Sequence, residues 1–422
     1  MGNKINYVSG TSPTEVFTGD NKSIALKIKS YKIENFKAFH DSGEIELSPL
    51  VLFYGSNSAG KTAIHQPLIL LKAAREQDKK STNENKSLLE LEGSNCSISD
   101  IKNQAYSDQD TSFVFGFEII SDESEVINFQ EDIVYKLVFS GQDNLVESGY
   151  IYVGDIKYSL LDYFEFDNVF FLKEKKTYIP KEILLYANSV TDTLRMFIDK
   201  FAYMGPVRSE TKREFVFSGK APESLGKNGE HAYERLFSLI SDNRIDNEDI
   251  NKWISEFGFE LLWKAHGKNT GEIVLKDINT GIETNIVDNG FGIGQSLPVI
   301  VQMATMKNGI LLSDSPDAFL QSGMQSELAE YVVNCVNNGN KLIIETGSEP
   351  FLYRIRRKIA QNDIARDDVR LYYIDSEKAG NSACIKIDIS KNGSLSRQSD
   401  SFNRFFSGTF NDLSIMKTRS NG

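Results

Sequence analysis

The sequence predicts an α/β protein with a parallel-rich central sheet, an antiparallel edge and a large insertion, and three observations predict it. The apolar run Val51-Leu52-Phe53-Tyr54 leads into Gly55-Ser56-Asn57-Ser58-Ala59-Gly60-Lys61-Thr62, and a helical pattern from Ala63 to Glu76 follows. Two further apolar runs, Asn308 to Asp314 and Lys341 to Thr346, flank a helical pattern from about Met324 to Asn337. Strands alternating with helices in this order imply parallel pairing under helical layers. Upstream, Ser23 to Ile33 alternates apolar and polar residues, continued by Ile33 to Phe39 and Ile45 to Leu47. That alternation predicts two antiparallel edge strands leading into the central strand.

The first stretch has the spacing Gly, four residues, Gly-Lys-Thr, set between a strand and a helix, which is the context that makes a phosphate-binding loop meaningful. Gly55 and Gly60 let successive backbone N–H groups curl inward toward a phosphate, and the helix starting near Lys61 adds its positive end. Lys61 is placed to reach β- and γ-phosphate oxygens and the Thr62 hydroxyl to ligate Mg²⁺. The expected ligands are therefore ATP and magnesium, cradled by residues Gly55, Ser56, Asn57, Ser58, Ala59, Gly60, Lys61 and Thr62.

The chain has 422 residues, 40% of them apolar and 25% charged with both signs present, so it can bury a sizeable core in one large domain or two. Its net charge of −12 leaves any nucleic-acid binding to a local basic patch. Cys96, Cys335 and Cys384 are odd in number and far apart, which argues against a disulfide framework and for a cytoplasmic protein. No run approaches eighteen apolar residues, and no membrane segment is expected.

Taken in order, residues 1–22 read as a flexible leader and 23–86 as the N-terminal part of the core, with Gln77 to Lys86 an exposed break. Residues 87–281 read as an inserted lobe, with strands Ser112 to Ile120, Asp132 to Ser140 and Glu147 to Val153 and a helix from Thr191 to Phe201. Residues 282–375 return to the core and 376–422 read as a C-terminal module; across that boundary Val369 to Ile374 and Ser382 to Ile389 read as paired strands, followed by a short helical tail.

Asp314, ending an apolar strand, is the expected second half of the site, where a carboxylate holds the Mg²⁺ shell. The next residue, Ser315, has no lone pair basic enough at neutral pH to serve as a general base. Asp317 is the remaining candidate for that catalytic role; alternatively Asp314 and Asp317 only cap the turn at Pro316. Upstream, Asp288-Asn289-Gly290-Phe291-Gly292-Ile293-Gly294-Gln295-Ser296-Leu297-Pro298 precedes an apolar helical run, Val299 to Met306. Gly290, Gly292, Gly294 and Gln295 would form a second anion-binding loop, or else a turn with close backbone approach.

The ordered set of Asn35-Phe36-Lys37 strand, phosphate loop, Gly290 to Pro298 loop, Asp314 strand and Ile343 strand resembles the P-loop NTPase heads of ABC type found in structural-maintenance-of-chromosomes, RecF and overcoming-lysogenization-defect proteins. It is similar, more closely, to predicted bacterial AAA-family ATPases with a C-terminal module of unknown function. The likeness runs from about Ser23 and includes Tyr203-Met204-Gly205-Pro206-Val207-Arg208, the Gly226 to Gly229 loop before helix His231 to Ile240, and the tail Gly393 to Phe406. The resemblance implies that the Gly290 segment reaches across a dimer, so that ATP is sandwiched between two heads. A homodimer or higher oligomer, an effector nuclease or an active ATPase as partner, and a role in antiphage defence or DNA maintenance follow as implications.

Three positions depart from that pattern: the usual signature serine is Gly294, the catalytic Glu or its Gln equivalent is Ser315, and the switch histidine is Gly347. Base and oxyanion groups are each worth about 10²–10³ in rate, so losing several predicts binding with weak or absent hydrolysis. An active ATPase with Asp317 or a partner residue as base, and a DNA-binding protein with a structural nucleotide, are the alternatives. DNA would meet Arg354, Arg356, Arg357 and Lys358 or Arg208, Lys212 and Arg213, unless these are a solvated face or, for Arg208, a support of the nucleotide lobe. His40, His65, His231 and His266 stand singly and read as structural.

Overall fold

The computed structural model describes residues 24–56, 59–80, 110–120, 132–139, 146–166, 172–176, 179–217, 222, 224–241, 248–267, 269–376, 381–396 and 402. They divide into two units, one drawn from 1–47, 62–200 and 376–384, the other from 48–61, 201–375 and 385–422. The expected leader and the helical tail beyond residue 396, apart from Phe402, lie outside the described residues.

Phe113, Phe115 and Phe117 occupy every second position of Thr111–Ile119 and are buried, as are Ile133, Tyr135, Leu137 and Phe139 of Ile133–Phe139. This period-two burial builds the first unit around an antiparallel sheet. Its order is Phe39–Asp41, Leu26–Phe36, Thr111–Ile119, Ile133–Phe139, Val146–Val153, Ile156–Ser159, with Ile45–Glu46 also on Leu26–Phe36. The strands expected at the N-terminus therefore form a sheet of their own with the inserted ones. Leu26–Phe36 is a single strand that ends where Lys37 takes φ +52° before Phe39–Asp41 turns back.

Two helices complete that unit. Lys61–Lys80 runs through Gln77, where the charge pattern predicted a break. Lys181–Asp199 starts after Pro180, ten residues ahead of expectation, because Ile183, Tyr186, Val190, Leu194 and Ile198 make a buried stripe at helical spacing. Arg75 pairs with Asp199 at 3.0 Å, joining the two helices.

The second unit is organised on a sheet of order Phe201–Met204, Ile310–Asp314, Lys341–Glu345, Leu50–Gly55, Val369–Ser376, Ser382–Ile387, in which the first five strands are mutually parallel. Their near-continuous apolar runs are those of strands buried on both faces. Leu297 and Ile300 of helix Phe291–Thr305, Leu328 and Val332 of Ser322–Asn337, and Phe351 and Ile355 of Glu349–Ala360 share one core with Leu311, Leu342 and Leu52. A four-stranded antiparallel sheet (Phe215–Val216, Thr270–Asp277, Phe259–Ala265, Glu283–Asn285) adds an aromatic cluster in which Phe217 stacks on Phe237 and meets Trp263 edge-on.

The chain thus rejoins the central sheet at Phe201, whereas composition placed its return near residue 282. Phe201–Met204 is only four residues long, too short to show a period. The parallel register sets Asp314 beside Glu345 and Glu345 beside Phe53, so two carboxylates and the phosphate loop stand at the same, C-terminal, end of the sheet. Open parallel sheets bind ligands at that end.

Candidate nucleotide site

The loop begins where the strand Leu50–Gly55 ends. A Cβ on Gly55 would lie 2.5 Å from the Ile374 carbonyl oxygen, so only glycine fits there, and Gly60 takes φ +100°, a conformation open to glycine. The Ala59 amide donates to the Ser56 carbonyl at 3.2 Å, closing the turn. Asn57 and Ser58 lie outside the described residues. Lys61 and Thr62 then open a helix with no acidic residue in its first turn, which keeps its positive end unneutralised.

Lys61 is buried, and its ammonium donates to the carbonyls of Gly55 (3.0 Å) and Ser56 (2.9 Å). Glu345 Oε1 stands 3.9 Å from the same nitrogen. In the fold Lys341–Glu345 lies between the Asp314 strand and the loop strand. That makes Glu345 a residue of the site, one that sequence reasoning passed over. Its signal was present, because Lys341–Glu345 and Ile310–Asp314 both end in a carboxylate.

Asp314 is buried, and burial lifts its carboxyl above the ordinary range, opposed by the Ser315 hydroxyl and then by Arg208, Lys61 and Lys227. Ser315 Oγ donates to Asp314 Oδ1 at 2.9 Å, its amide donates to the Glu345 carbonyl at 2.8 Å, and its backbone is left-handed at φ +48°. Asp317 is also buried; burial raises its carboxyl, which is turned toward Thr346 and Tyr54, and its Oδ1 has no hydrogen-bond partner. Buried carboxylates that remain charged call for a cation.

Arg208 proved to be a member of this site and not of a surface patch. The residue is 3% exposed, its guanidinium donates to the carbonyls of Asp314 (2.8 Å), Ser315 (3.0 Å) and Pro206 (2.9 Å), and burial lowers its pKa to about 10. Lys227 packs its stem against Gly205 and lies in the field of Asp314, with burial drawing its ammonium down.

The Gly290 segment is placed differently from the expected loop. Gly290 is the N-cap of helix Phe291–Thr305, so Gly292, Gly294 and Gln295 are its first turns. A Cβ on Gly292 would meet the Phe319 carbonyl at 2.7 Å and one on Gly294 would meet Thr211 Oγ1 at 2.4 Å, while around Gly290 there is open space. The Gln295 side chain is buried and accepts from the Arg208 amide at 3.2 Å. Beside Gly290, Phe291 and Phe319 are both 60% exposed and meet edge-on at 4.9 Å. Gly347 is exposed with nothing near its Cβ direction.

In the basic clusters Arg354, Lys358 and Arg213 are paired with acids. Arg354 reaches Glu327 and Glu330, Lys358 reaches Glu330 and Asp363, Arg356 donates to the Gly393 carbonyl, and Arg213 pairs with Asp288. His65 is buried against Tyr31 with its pKa pushed down to about 3 by burial, so it is neutral.

A glycine-bounded loop delivering a buried lysine to carboxylates at the ends of parallel strands defines a P-loop NTPase fold. Residues 26–352 match the model of the AAA ATPase domain family, and the chain belongs to that family. No curated protein matches it. Among solved structures, the SMC head domain from Thermotoga maritima is 13% identical, covering 86% of this chain and 100% of its own, with a TM-score of 0.40. An SmcHead bound to the C-winged helix domain of ScpA is 13% identical over 86% of this chain and 98% of its own, at 0.44. The Smc head domain with a coiled coil and joint from Pyrococcus yayanosii is 9% identical over 91% and 100%, also at a low TM-score, 0.43.

Proposed function

We propose that this AAA-family protein is a nucleotide-gated scaffold: it binds ATP with Mg²⁺ and hydrolyses it weakly or not at all. The supporting observation is Ser315. At the position after the acidic strand end, where a base would act on water, its hydroxyl is bonded to Asp314 Oδ1 and cannot accept a proton at neutral pH.

The remaining parts fit a bound triphosphate. Gly55, Ser56, Asn57, Ser58, Ala59, Gly60 and Lys61 would cradle the phosphates, and Thr62 with Asp314 would hold the metal, since Mg²⁺ usually takes one or two protein ligands plus phosphate oxygens. The buried, charge-hungry carboxyls of Asp314 and Asp317 support a cation there. Mg²⁺ would supply charge neutralisation on the phosphates. Gly290, with open space and the exposed Phe291–Phe319 pair beside it, supports a second copy of the chain closing over the nucleotide, which would leave the buried Gly294 and Gln295 as supports of that face. An effector partner, a cytoplasmic setting and a role in antiphage defence or DNA maintenance complete the proposal; DNA contact has the weaker support, because Arg354 and Lys358 are paired.

The second reading is an active ATPase with Asp317 as base, favoured by its raised carboxyl and partnerless Oδ1. Its orientation toward Thr346 and Tyr54 supports the first reading over this one. Equilibrium ATP binding and turnover by the purified chain, with Lys61→Ala as control, separate them. Binding that Lys61→Ala abolishes, with turnover at background, is the expected result; robust turnover that Asp317→Asn removes establishes the alternative.

A further inference from the structure

We infer that Arg208 is a positioning residue for the Asp314–Ser315 corner, holding the Asp314 carboxylate where it would meet Mg²⁺; this rests on the nucleotide-binding reading above. From its sequence position Arg208 reads either as a surface for DNA or as a general support of the lobe. Its geometry assigns something more specific.

A buried arginine beside carboxylates ordinarily forms a bidentate pair with one of them. Arg208 instead directs its fork at main chain: Nη2 to the Asp314 carbonyl at 2.8 Å and Nη1 to the carbonyls of Ser315 at 3.0 Å and Pro206 at 2.9 Å. Only a rigid planar fork can bridge two successive carbonyls in this way, and a lysine ammonium could not reproduce it. The Asp314 carboxylate is thereby left to the Ser315 hydroxyl and to whatever cation approaches.

The corner needs holding. Ser315 is left-handed at φ +48°, a conformation that a residue with a Cβ keeps only where its surroundings impose it. Its amide is held by the Glu345 carbonyl and its own carbonyl by Arg208, so the bend is gripped from both sides. Arg208 is gripped in turn, its amide donating to Gln295 Oε1 at 3.2 Å. Gln295 belongs to the helix that starts at Gly290, so the helix facing the proposed second copy and the metal-binding corner share Arg208 as their link.

The test takes the ratio of affinities for a fluorescent, non-hydrolysable ATP analogue measured in Mg²⁺ and in EDTA, on the full chain. Groups that orient a metal ligand typically change metal affinity about 10- to 100-fold, so Arg208→Gln should lower this ratio at least about tenfold, with Arg208→Lys in between. Asp314→Asn should lower it as far, and adding Arg208→Gln to Asp314→Asn should change it by less than about twofold, since the two act through one contact. In the nucleotide-free protein, amide exchange at Ser315 should speed up in Arg208→Gln. A ratio that stays at the wild-type value while both affinities fall together, or additive effects in the double variant, overturns the assignment. If the wild-type chain binds no analogue, the nucleotide reading fails by itself, and unchanged Ser315 exchange in Arg208→Gln then overturns the Arg208 assignment independently.

Discussion

Glu345 Oε1 stands 3.9 Å from the Lys61 ammonium, at the tip of the strand that separates the phosphate loop from Asp314. The carboxylate neutralises part of the charge that a triphosphate would use. Removing it should help an anion bind where no metal is present. Glu345→Gln is expected to tighten ATP binding in EDTA about threefold to tenfold, the size of one partly screened charge at this range. Calorimetric or fluorescence titration would show it, and weaker binding would mean that Glu345 orients Lys61 more than it offsets it.

Restoring the groups missing from the hydrolytic side should restore some chemistry. Gly347 is exposed with open space around it, so a histidine can be placed there without a clash. Ser315→Glu together with Gly347→His is expected to raise turnover at least about tenfold over the wild-type background, the lower range for a positioned general base. Steady-state phosphate release measures it. A glutamate at 315 loses the hydroxyl that donates to Asp314 Oδ1 and sets a second carboxylate beside it, so Ser315→Glu should also lower the unfolding midpoint.

Gly294 cannot simply be returned to serine. Its Cβ would sit 2.4 Å from Thr211 Oγ1, in a cluster where Thr211 also bonds the Tyr233 hydroxyl at 3.0 Å. Gly294→Ser is expected to cost about 1–3 kcal/mol by overpacking. Adding Thr211→Ala should recover most of that loss in urea unfolding, and additive losses would place the strain elsewhere.

Two buried groups predict opposite dependences of stability on pH. The Asp317 carboxyl is raised above its ordinary 3.8, so the stability it contributes is complete below that value and is lost as pH rises through its folded pKa. Asp317→Asn should therefore be more stable than wild type at neutral pH, with the difference vanishing in acid. His65 is depressed from 6.5 to about 3, so its contribution is present above 6.5 and is lost as pH falls toward 3. Wild-type stability should decline through that window with a slope of up to about 1.4 kcal/mol per pH unit from this group. Urea melts between those limits check both, and a slope unchanged by His65→Gln would show that other groups govern the acid limb.

Much of the site was legible because its parts are local. Gly55, Gly60, Lys61 and Thr62 lie within eight residues of one another between a strand and a helix, and the spacing alone carries the expectation of a phosphate-binding loop. Asp314 was readable as the polar end of an apolar run. The long alternating strands of the first unit were readable too, since a period of two survives in any tertiary setting. What the chain could not announce were relations between segments remote in sequence. Strand order is one: Glu345 reaches Lys61 only because Lys341–Glu345 inserts between the Leu50 and Ile310 strands, and no local pattern encodes that choice. Arg208 is the other. Read either as part of a basic surface or as a support of the nucleotide lobe, it is buried because three carbonyls around residues 206 and 314–315 converge on it, and such convergence exists only once the sheet has assembled. Local spacing determined which groups can touch a phosphate; tertiary packing decided which charges are desolvated, and therefore which of them can act on it.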